Sequence, residues 1–281
     1  MASHYEGQRI ALLTQHGKEV LIASILDPVL ACRVERVSGF DTDKLGTFTR
    51  DMPRFGTQLD AARRKARIGM ELSGLPVGLA SEGSFGPDPM TGMFPWNLEL
   101  LVLLDDRLGI EVHGMAQGPA ASGHLRAATW SEVEAFATRE GFPAQQLVMR
   151  PDNEKEPVFT KGIADWAELR GCFEDCLSRA ASGKVFIETD LRAFANPARM
   201  RRIGEAATDL RQRLLSCCPA CGQPGFWITE RKPGLPCADC HTPTRIYKTE
   251  IWTCPGCQHQ SAIDRQDRRF AQAAECPNCN P

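Results

Sequence analysis

Four C-x-x-C pairs lie within residues 217–281, and this spacing constrains the fold more than any other feature of the chain. The pairs are Cys218/Cys221, Cys237/Cys240, Cys254/Cys257 and Cys276/Cys279. A C-x-x-C turn can direct two thiolates at one ion, and a second such turn completes a tetrahedral zinc site. The segment has few large apolar residues, so bound metal would have to replace the core that it lacks. The pattern predicts two structural zinc ions with four cysteines each.

The pairing of these turns follows less directly from the sequence. The intervening segments of 15, 13 and 18 residues favour sequential pairing. Sequential pairing gives one zinc ribbon from Cys218, Cys221, Cys237 and Cys240, and a second from Cys254, Cys257, Cys276 and Cys279. An interleaved or nested pairing also fits the spacing. His241 and His259 lie close to cysteines and offer alternative ligands, but eight cysteines already complete both sites.

The overall composition excludes several classes of protein. The chain has 281 residues, 42% of them hydrophobic and 24% charged, with a net charge of −2. This balance is typical of a soluble globular protein and lacks the basic excess of a general nucleic-acid binder. No run of 18 or more apolar residues could span a membrane, and the N-terminus lacks the apolar core of a signal peptide. We expect a cytoplasmic protein without a membrane partner, whose cysteines bind metal instead of forming disulfides.

The first two-thirds of the chain alternate between strand and helix patterns, which is typical of an α/β domain. A helix is predicted at 57–72, with Thr57 as its N-cap and Asp60 in a capping box. A short strand at 77–81 and a loop at 82–89 follow. The other predicted elements are strand 9–14, helix 19–30, strand 33–37, a hairpin of strands 98–104 and 110–114, helix 131–140, a strand near 146–149 and helix 164–179.

The residue pattern changes near residue 186 and again near residue 217, and these changes predict three structural units. We expect an α/β domain at 1–185, a basic helical connector at 186–216 and a double four-cysteine zinc ribbon at 217–281. The connector is predicted to be mainly helical, with an interruption at Pro197. Its six arginines are Arg192, Arg199, Arg201, Arg202, Arg211 and Arg213.

These arginines allow two interpretations. They could form a recognition surface for a nucleic-acid or protein partner, or simply the solvated face of a connecting helix. Residues 217–281 carry seven Lys/Arg and six Asp/Glu, so the ribbon itself has a weak electrostatic signal for nucleic acid. A protein contact or a purely structural role is at least as compatible with this charge.

Candidate chemistry lies in the first domain. Phosphate chemistry requires cations near the anionic oxygens and a carboxylate that holds Mg²⁺ or activates water. Lys18 follows a turn at a helix start, where an anion is favoured, and Lys65 lies in the second predicted helix. Glu82 follows a predicted strand, where α/β sheets place ligands. We predict that Lys18 and Lys65 bind phosphate and that Glu82 is catalytic, whereas Asp88 is a turn former before Pro89.

Residues 57–67, followed by Gly-Leu-Pro at 74–76 and Ala-Ser-Glu-Gly at 80–83, resemble a known motif set. They are similar to T-F-x-E-N-A-x-x-K-A-R, G-L-P and D-D-S-G of the inosine triphosphate pyrophosphatase family. Residues 14–18 resemble that family's first loop, T-G-N-x-x-K, with one residue fewer. The resemblance implies an α/β fold of that type, a mixed sheet flanked by helices, in which Lys18 and Lys65 contact a nucleoside triphosphate. The whole chain also resembles an uncharacterised bacterial family that joins such a domain to a tail with four C-x-x-C pairs.

The sequence departs from the pyrophosphatase motif at its acidic positions. The family's Asn falls on Ala61, and its Asp pair falls on Ala80 and Ser81; Glu82 matches the Glu-Gly of the inosine/xanthosine triphosphatase branch. In a continuing strand, Ser81 and Glu82 would face opposite sides. We predict a Mg²⁺-dependent hydrolase of nucleoside triphosphates or related phosphorylated small molecules. The alternatives are a non-catalytic protein that binds a nucleotide-like ligand, or a zinc-ribbon adaptor for nucleic acid or protein.

Overall fold

The computed structural model describes residues 3–15, 17–41 and 56–281, and these residues form a mixed α/β protein with three sheets. The first sheet consists of β1 (Arg9–Leu13), β2 (Arg33–Val37), β3 (Val77–Pro87), β4 (Pro95–Asp105) and β5 (Ile110–Pro119). Its strand order is β2-β1-β3-β4-β5, with β1 parallel to both neighbours and β4 and β5 antiparallel. His16, within the predicted phosphate loop at 14–18, and residues 42–55 lie outside the described residues.

Helices cover both faces of the first sheet, because successive side chains of a strand point to opposite sides. These helices are α1 (Lys18–Leu30), α2 (Gln58–Ser73) and the last long helix of the described chain, α5 (Pro197–Leu215). Leu79 of β3 packs with α1 and α5, whereas the next residue, Ala80, packs with α2. Thr57 and Asp60 form the predicted capping box at the start of α2. Both faces of the sheet are therefore buried.

A second, antiparallel sheet follows β5 in the chain. It has the order β6-β9-β7-β8 and consists of β6 (His124–Ala127), β7 (Leu147–Pro151), β8 (Thr160–Ile163) and β9 (Val185–Thr189). Two helices, α3 (Trp130–Glu140) and α4 (Trp166–Arg179), pack against it through Phe136 and Phe173. The helices were predicted from the sequence, although the N-cap of α3 is Thr129, two residues before the start of the predicted helix. Strands β6, β8 and β9 were not predicted.

The cysteine-rich segment forms the third sheet. Its strands are β10 (Trp227–Pro233), β11 (Tyr247–Thr253) and β12 (Gln260–Asp264), which pair antiparallel in that order. Phe226 and Trp252 pack with buried cysteines in the small core at one end. None of the described helices has the length and apolarity needed to cross a membrane.

Strand β3 corrects the loop predicted at 82–89. The strand continues to Pro87 and pairs with β4 at every position, from Val77 opposite Asp105 to Pro87 opposite Pro95. The glycines and proline in this stretch favoured a loop, but the long partner strand overrides their local preference. Ser81 and Glu82 consequently lie within a continuous strand.

Helix α5 corrects the connector predicted at 186–216. Its Ile203, Ala206 and Leu210 are fully buried in the same core as Leu79 and Leu101 of the first sheet. Pro197 does not interrupt the helix but occupies its first turn, where the missing N–H has no helical partner to lose, and Asn196 caps it. Residues 186–189 belong to β9. The segment is thus part of the α/β core and not a solvated link.

Candidate functional site

A crevice forms where the chain changes direction in the first sheet. From β1 the chain runs through α1 to β2 on one side, and then through α2 to β3 on the other side of β1. The carboxyl end of β1 at Leu13 therefore adjoins a topological switch point, the position where open α/β sheets bind ligands. Strand β3 continues beyond this point. Lys18, at the start of α1, reaches this part of β3.

The ammonium group of Lys18 is buried against β3. Its Nζ donates to the carbonyl oxygen of Ser81 at 3.3 Å and to Ser81 Oγ at 3.4 Å. Burial, together with the nearby Arg199 guanidinium, lowers the pKa of Lys18 to about 7, although the carboxylates of Glu99 and Glu82 act in the opposite direction. Lys18 is therefore held beside other cations with little access to water.

The other two predicted residues meet on the opposite face of the same strand. Lys65 of α2 forms an ion pair with Glu82 of β3, and both side chains are nearly buried. Gln58 Nε2 donates to the Glu82 carbonyl oxygen at 2.8 Å, which ties the start of α2 to the strand. Lys18, Lys65 and Glu82, selected from the sequence, thus lie close enough for their charges to interact.

Two further charged residues complete the site, and neither of them was predicted from the sequence as part of it. Arg199 Nε of α5 donates to Glu99 Oε1 of β4 at 2.7 Å, and both side chains are closed to solvent. Asn97 Nδ2 also donates to Glu99 Oε1, at 3.0 Å, whereas the buried Glu99 Oε2 has no hydrogen-bond partner among the described residues. Glu99 was visible as the only charge within an apolar strand run. Arg199, 100 positions away, carried no local signal that linked it to Glu99.

Gly83 provides the space for this second ion pair. A Cβ atom at Gly83 would overlap Glu99 Oε1 and Arg199 Nη2, so any larger residue would displace the pair. The resulting group of charged and polar residues is called the switch-point cluster, and it consists of Lys18, Lys65, Ser81, Glu82, Glu99 and Arg199. It contains three basic groups and two carboxylates. Such a balance suits an anionic ligand better than a cation.

Asp88 has the structural role predicted for it. Its carboxylate accepts hydrogen bonds from the backbone N–H groups of Met90, Thr91, Met93 and Phe94. These bonds hold the pKa of Asp88 well below its usual range, because they stabilise the ionised form. Asp88 therefore organises the turn between β3 and β4 and does not join the switch-point cluster.

The eight cysteines of the C-x-x-C pairs form two groups of four. In each group all Sγ atoms lie within 4.8 Å of one another. The closest contacts between turns are 3.6 to 3.9 Å, too long for disulfide bonds. Metal–sulfur bonds of about 2.3 Å in a tetrahedron place the sulfurs about 3.8 Å apart. Each group could therefore hold one metal ion and fits a zinc-ribbon-like pattern.

The sequential pairing predicted from the sequence is wrong, and the cysteine turns are interleaved. The first group joins Cys218 and Cys221 to Cys254 and Cys257; the second joins Cys237 and Cys240 to Cys276 and Cys279. Strand β10 separates the first turn from the second, and a strand of seven residues spans about 20 Å. Because each successive strand runs back in the opposite direction, alternate turns meet at the same end of the sheet. Neither His241 nor His259 replaces a cysteine.

The first cysteine group lies against the α/β core. The N–H of Gly225 donates to the Arg213 carbonyl at 3.1 Å, and that of Phe226 donates to Ser216 at 3.0 Å. Gln223 Nε2 reaches the carbonyl oxygen of Leu108 at 3.3 Å. The second group lies at the other end of the third sheet. The two cysteine groups therefore differ in their connection to the rest of the chain.

The arginine-rich segment is largely neutralised by nearby carboxylates, three of them its own and one on β4. Arg192 pairs with Asp190, Arg199 with Glu99, Arg202 with Glu205 and Arg213 with Asp209. A nucleic-acid phosphate would have to compete with these carboxylates. A nucleic-acid or protein partner for this helix and the ribbon stays a prediction.

Comparison with known protein families identifies the family of this chain. None of the curated proteins compared matches this chain. A family model described as "Domain of unknown function (DUF6671)" matches residues 65–281. The matched part includes Lys65, Glu82, Glu99, Arg199 and all eight ligand cysteines but begins after Lys18. The chain belongs to this DUF6671 family.

Proposed function

We propose that the chain binds a nucleoside triphosphate or a related phosphorylated small molecule at the switch-point cluster. The observation that carries the proposal is the burial of Lys18, Lys65 and Arg199 against only two carboxylates beside the carboxyl end of β1. An anion at this position would offset the repulsion between Lys65, Arg199 and the protonated fraction of Lys18. The similarity of residues 14–18 and 57–67 to the pyrophosphatase motifs supports a nucleotide as that anion.

Mg²⁺-dependent hydrolysis would require more than ligand binding. The switch-point cluster does not suit Mg²⁺, because both of its carboxylates are already paired with cations. Mg²⁺ prefers carboxylate and water oxygens. Glu82 is already paired with Lys65, and Glu99 with Arg199. A divalent cation would therefore face a site whose carboxylates are neutralised. Ligand binding is our primary proposal, and metal-dependent turnover by Glu82 is tested beside it.

Calorimetry and thermal shift test this function directly. We expect ITP, XTP, dUTP, the common nucleoside triphosphates or pyrophosphate to raise the melting temperature, because specific ligands stabilise the state that binds them. Lys65→Met and Lys18→Met should each weaken binding by roughly 10- to 100-fold, as for a lost charge-assisted hydrogen bond. Lys184→Met, at an exposed lysine next to β9 of the second sheet, is the matched control. Equal affinity in all these variants, or no stabilisation by any of the anions, would refute the proposal.

Phosphate release separates a hydrolase from a binding protein. The same nucleotides are incubated with the protein with and without Mg²⁺, and phosphate and pyrophosphate are measured. Turnover that is lost in Glu82→Gln would assign the carboxylate a catalytic role. Retained binding without turnover would identify a ligand-binding protein.

We further propose that zinc occupies both cysteine groups. Four thiolates in a tetrahedral set suit zinc and leave no coordination position for substrate, so the ions would be structural. Metal analysis of protein prepared without chelators should give about two zinc ions per chain. A preparation that folds with no metal, or one that contains only iron, would contradict this assignment.

A further inference from the structure

The contact between Lys18 and Ser81 brings together an amine and a hydroxyl in a nearly water-free place. Lys18 Nζ lies 3.4 Å from Ser81 Oγ, and their residues are 5% and 4% exposed. A serine hydroxyl becomes a strong nucleophile when an adjacent base accepts its proton. Lysine can act as that base only where its surroundings favour the neutral amine.

The groups around Lys18 favour the neutral amine. Arg199 from α5 and Lys65 from α2 repel an added proton, whereas Glu99 from β4 and Glu82 from β3 attract it. Burial outweighs these carboxylates and brings the pKa of Lys18 to about 7. A large fraction of the amine is therefore without its proton at neutral pH. In the neutral form, Lys18 Nζ can accept the Ser81 hydroxyl proton across the same contact in which the protonated form donates.

We propose that Ser81 is a nucleophile toward phosphoryl groups and that Lys18 is its general base. This step rests on the proposed function, since the phosphorylated ligand would occupy the same cluster. The Ser81 Oγ proton passes to Lys18 Nζ as Oγ bonds to phosphorus. The bond from phosphorus to the leaving oxygen breaks, and Lys18 returns the proton to that oxygen. Water then attacks the phosphoserine, releases phosphate and restores the Ser81 hydroxyl.

The neighbouring serine on β3 gives a matched comparison. Ser84 Oγ donates to Gln58 Oε1 at 2.9 Å, so its hydroxyl proton already has an acceptor that is not a base. Ser81 and Ser84 therefore share a strand but differ in the group beside the hydroxyl. Only Ser81 should react as a nucleophile.

A small fluorophosphonate tests the Ser81–Lys18 pair in the full-length protein. An activated serine oxygen attacks the phosphorus of this reagent and displaces fluoride, which leaves a covalent label on the serine. Intact mass and peptide mapping should find the label on Ser81, with a rate that falls as the pH drops below about 7. Ser81→Ala should remove the label, and Lys18→Met should slow it by roughly 100-fold or more, the usual range for a general base. Ser84→Ala should react at the wild-type rate. If Lys18→Met does not fold, Lys18→Gln is the second variant.

Two results would contradict the proposal that Ser81 and Lys18 act as nucleophile and base. These are absence of label on Ser81 in folded protein, and a labelling rate that is unchanged in Lys18→Met. Calorimetry with pyrophosphate and ITP on the same preparations separates this outcome from failure of the proposed function. Anion binding without labelling rejects the nucleophile alone. Lys18-dependent labelling without anion binding supports the nucleophile and rejects the phosphorylated ligand.

Discussion

Glu99 on β4 and Arg199 on α5 form a solvent-excluded ion pair, with Nε and Oε1 2.7 Å apart across 100 residues of sequence. The pair fastens α5 to the first sheet and places a guanidinium near Lys18. A buried pair of this kind adds little stability compared with apolar residues, but either partner alone is a buried, uncompensated charge. Single and double substitutions can therefore measure what the ion pair contributes to the free energy of unfolding.

Arg199→Met should lower the free energy of unfolding by about 3–5 kcal/mol, because Glu99 would be left buried without its partner. The double variant Glu99→Met with Arg199→Met should recover much of that loss. Urea denaturation of the two single variants and the double variant measures the coupling. Additive losses in the double variant would show that the pair does not act as a unit.

Gly83→Ala should destabilise the protein by about 1–3 kcal/mol, the usual range for overpacking. The added methyl group would overlap Glu99 and Arg199. Gly86→Ala, on the same strand, is the control, since its Cβ position has no atom within 4 Å. Thermal and urea unfolding of the two variants provide the comparison. Equal stability of the two would indicate that the cluster repacks around the methyl group.

Serine variants distinguish the two pairings of the cysteine turns through metal content. Replacing the first and third turns together, at Cys218, Cys221, Cys254 and Cys257, should leave about one ion per chain. Replacing the first and second turns, at Cys218, Cys221, Cys237 and Cys240, should leave almost none, because each remaining group would have two ligands. Sequential pairing requires the reverse result. Metal analysis of the purified variants decides between them.

Lys18 should make stability depend on pH above neutrality. Its pKa is about 7 in the folded chain but about 10.5 when the side chain is exposed, so the unfolded chain binds more protons between these values. Stability attributable to Lys18 therefore rises with pH across this window, by at most about 1.4 kcal/mol per pH unit. Urea unfolding of the wild type and Lys18→Met from pH 7 to 9 should show this slope as their difference. Parallel curves would mean that Lys18 remains protonated in the folded state.

The sequence correctly predicted the features that depend on residues close together in the chain. Thr57 and Asp60 are three positions apart, and they set the start of α2 as expected. Lys65 and Glu82 were selected because one lies on a predicted helix and the other at the end of a predicted strand, and the structure pairs them. Arg199 was assigned to a connector because its segment has a basic helical pattern, and its partner Glu99 lies 100 residues away in sequence. Long-range pairing leaves no periodicity in either segment.

The two largest errors have the same physical origin. Gly83, Gly86 and Pro87 favour a loop locally, but the strand partner β4 holds them in β3. The turns at Cys218 and Cys237 are neighbours in sequence, but strand β10 carries them to opposite ends of the third sheet. In both cases strand pairing decides the outcome. Each segment between successive C-x-x-C turns holds one strand, and a single strand places consecutive turns at opposite ends of the sheet.

Interleaving also sets an order of assembly during synthesis. The first metal group is complete when Cys257 leaves the ribosome, although the Cys237 turn is then already enclosed in its loop. The second group must wait for Cys279, which lies 42 residues after Cys237. A ribosome-bound chain stalled between these points would hold one closed metal loop with a reactive dithiol inside it. Metal that binds during synthesis would therefore enter the first group before the second, and neither half of the segment contains a complete set of four cysteines for either group.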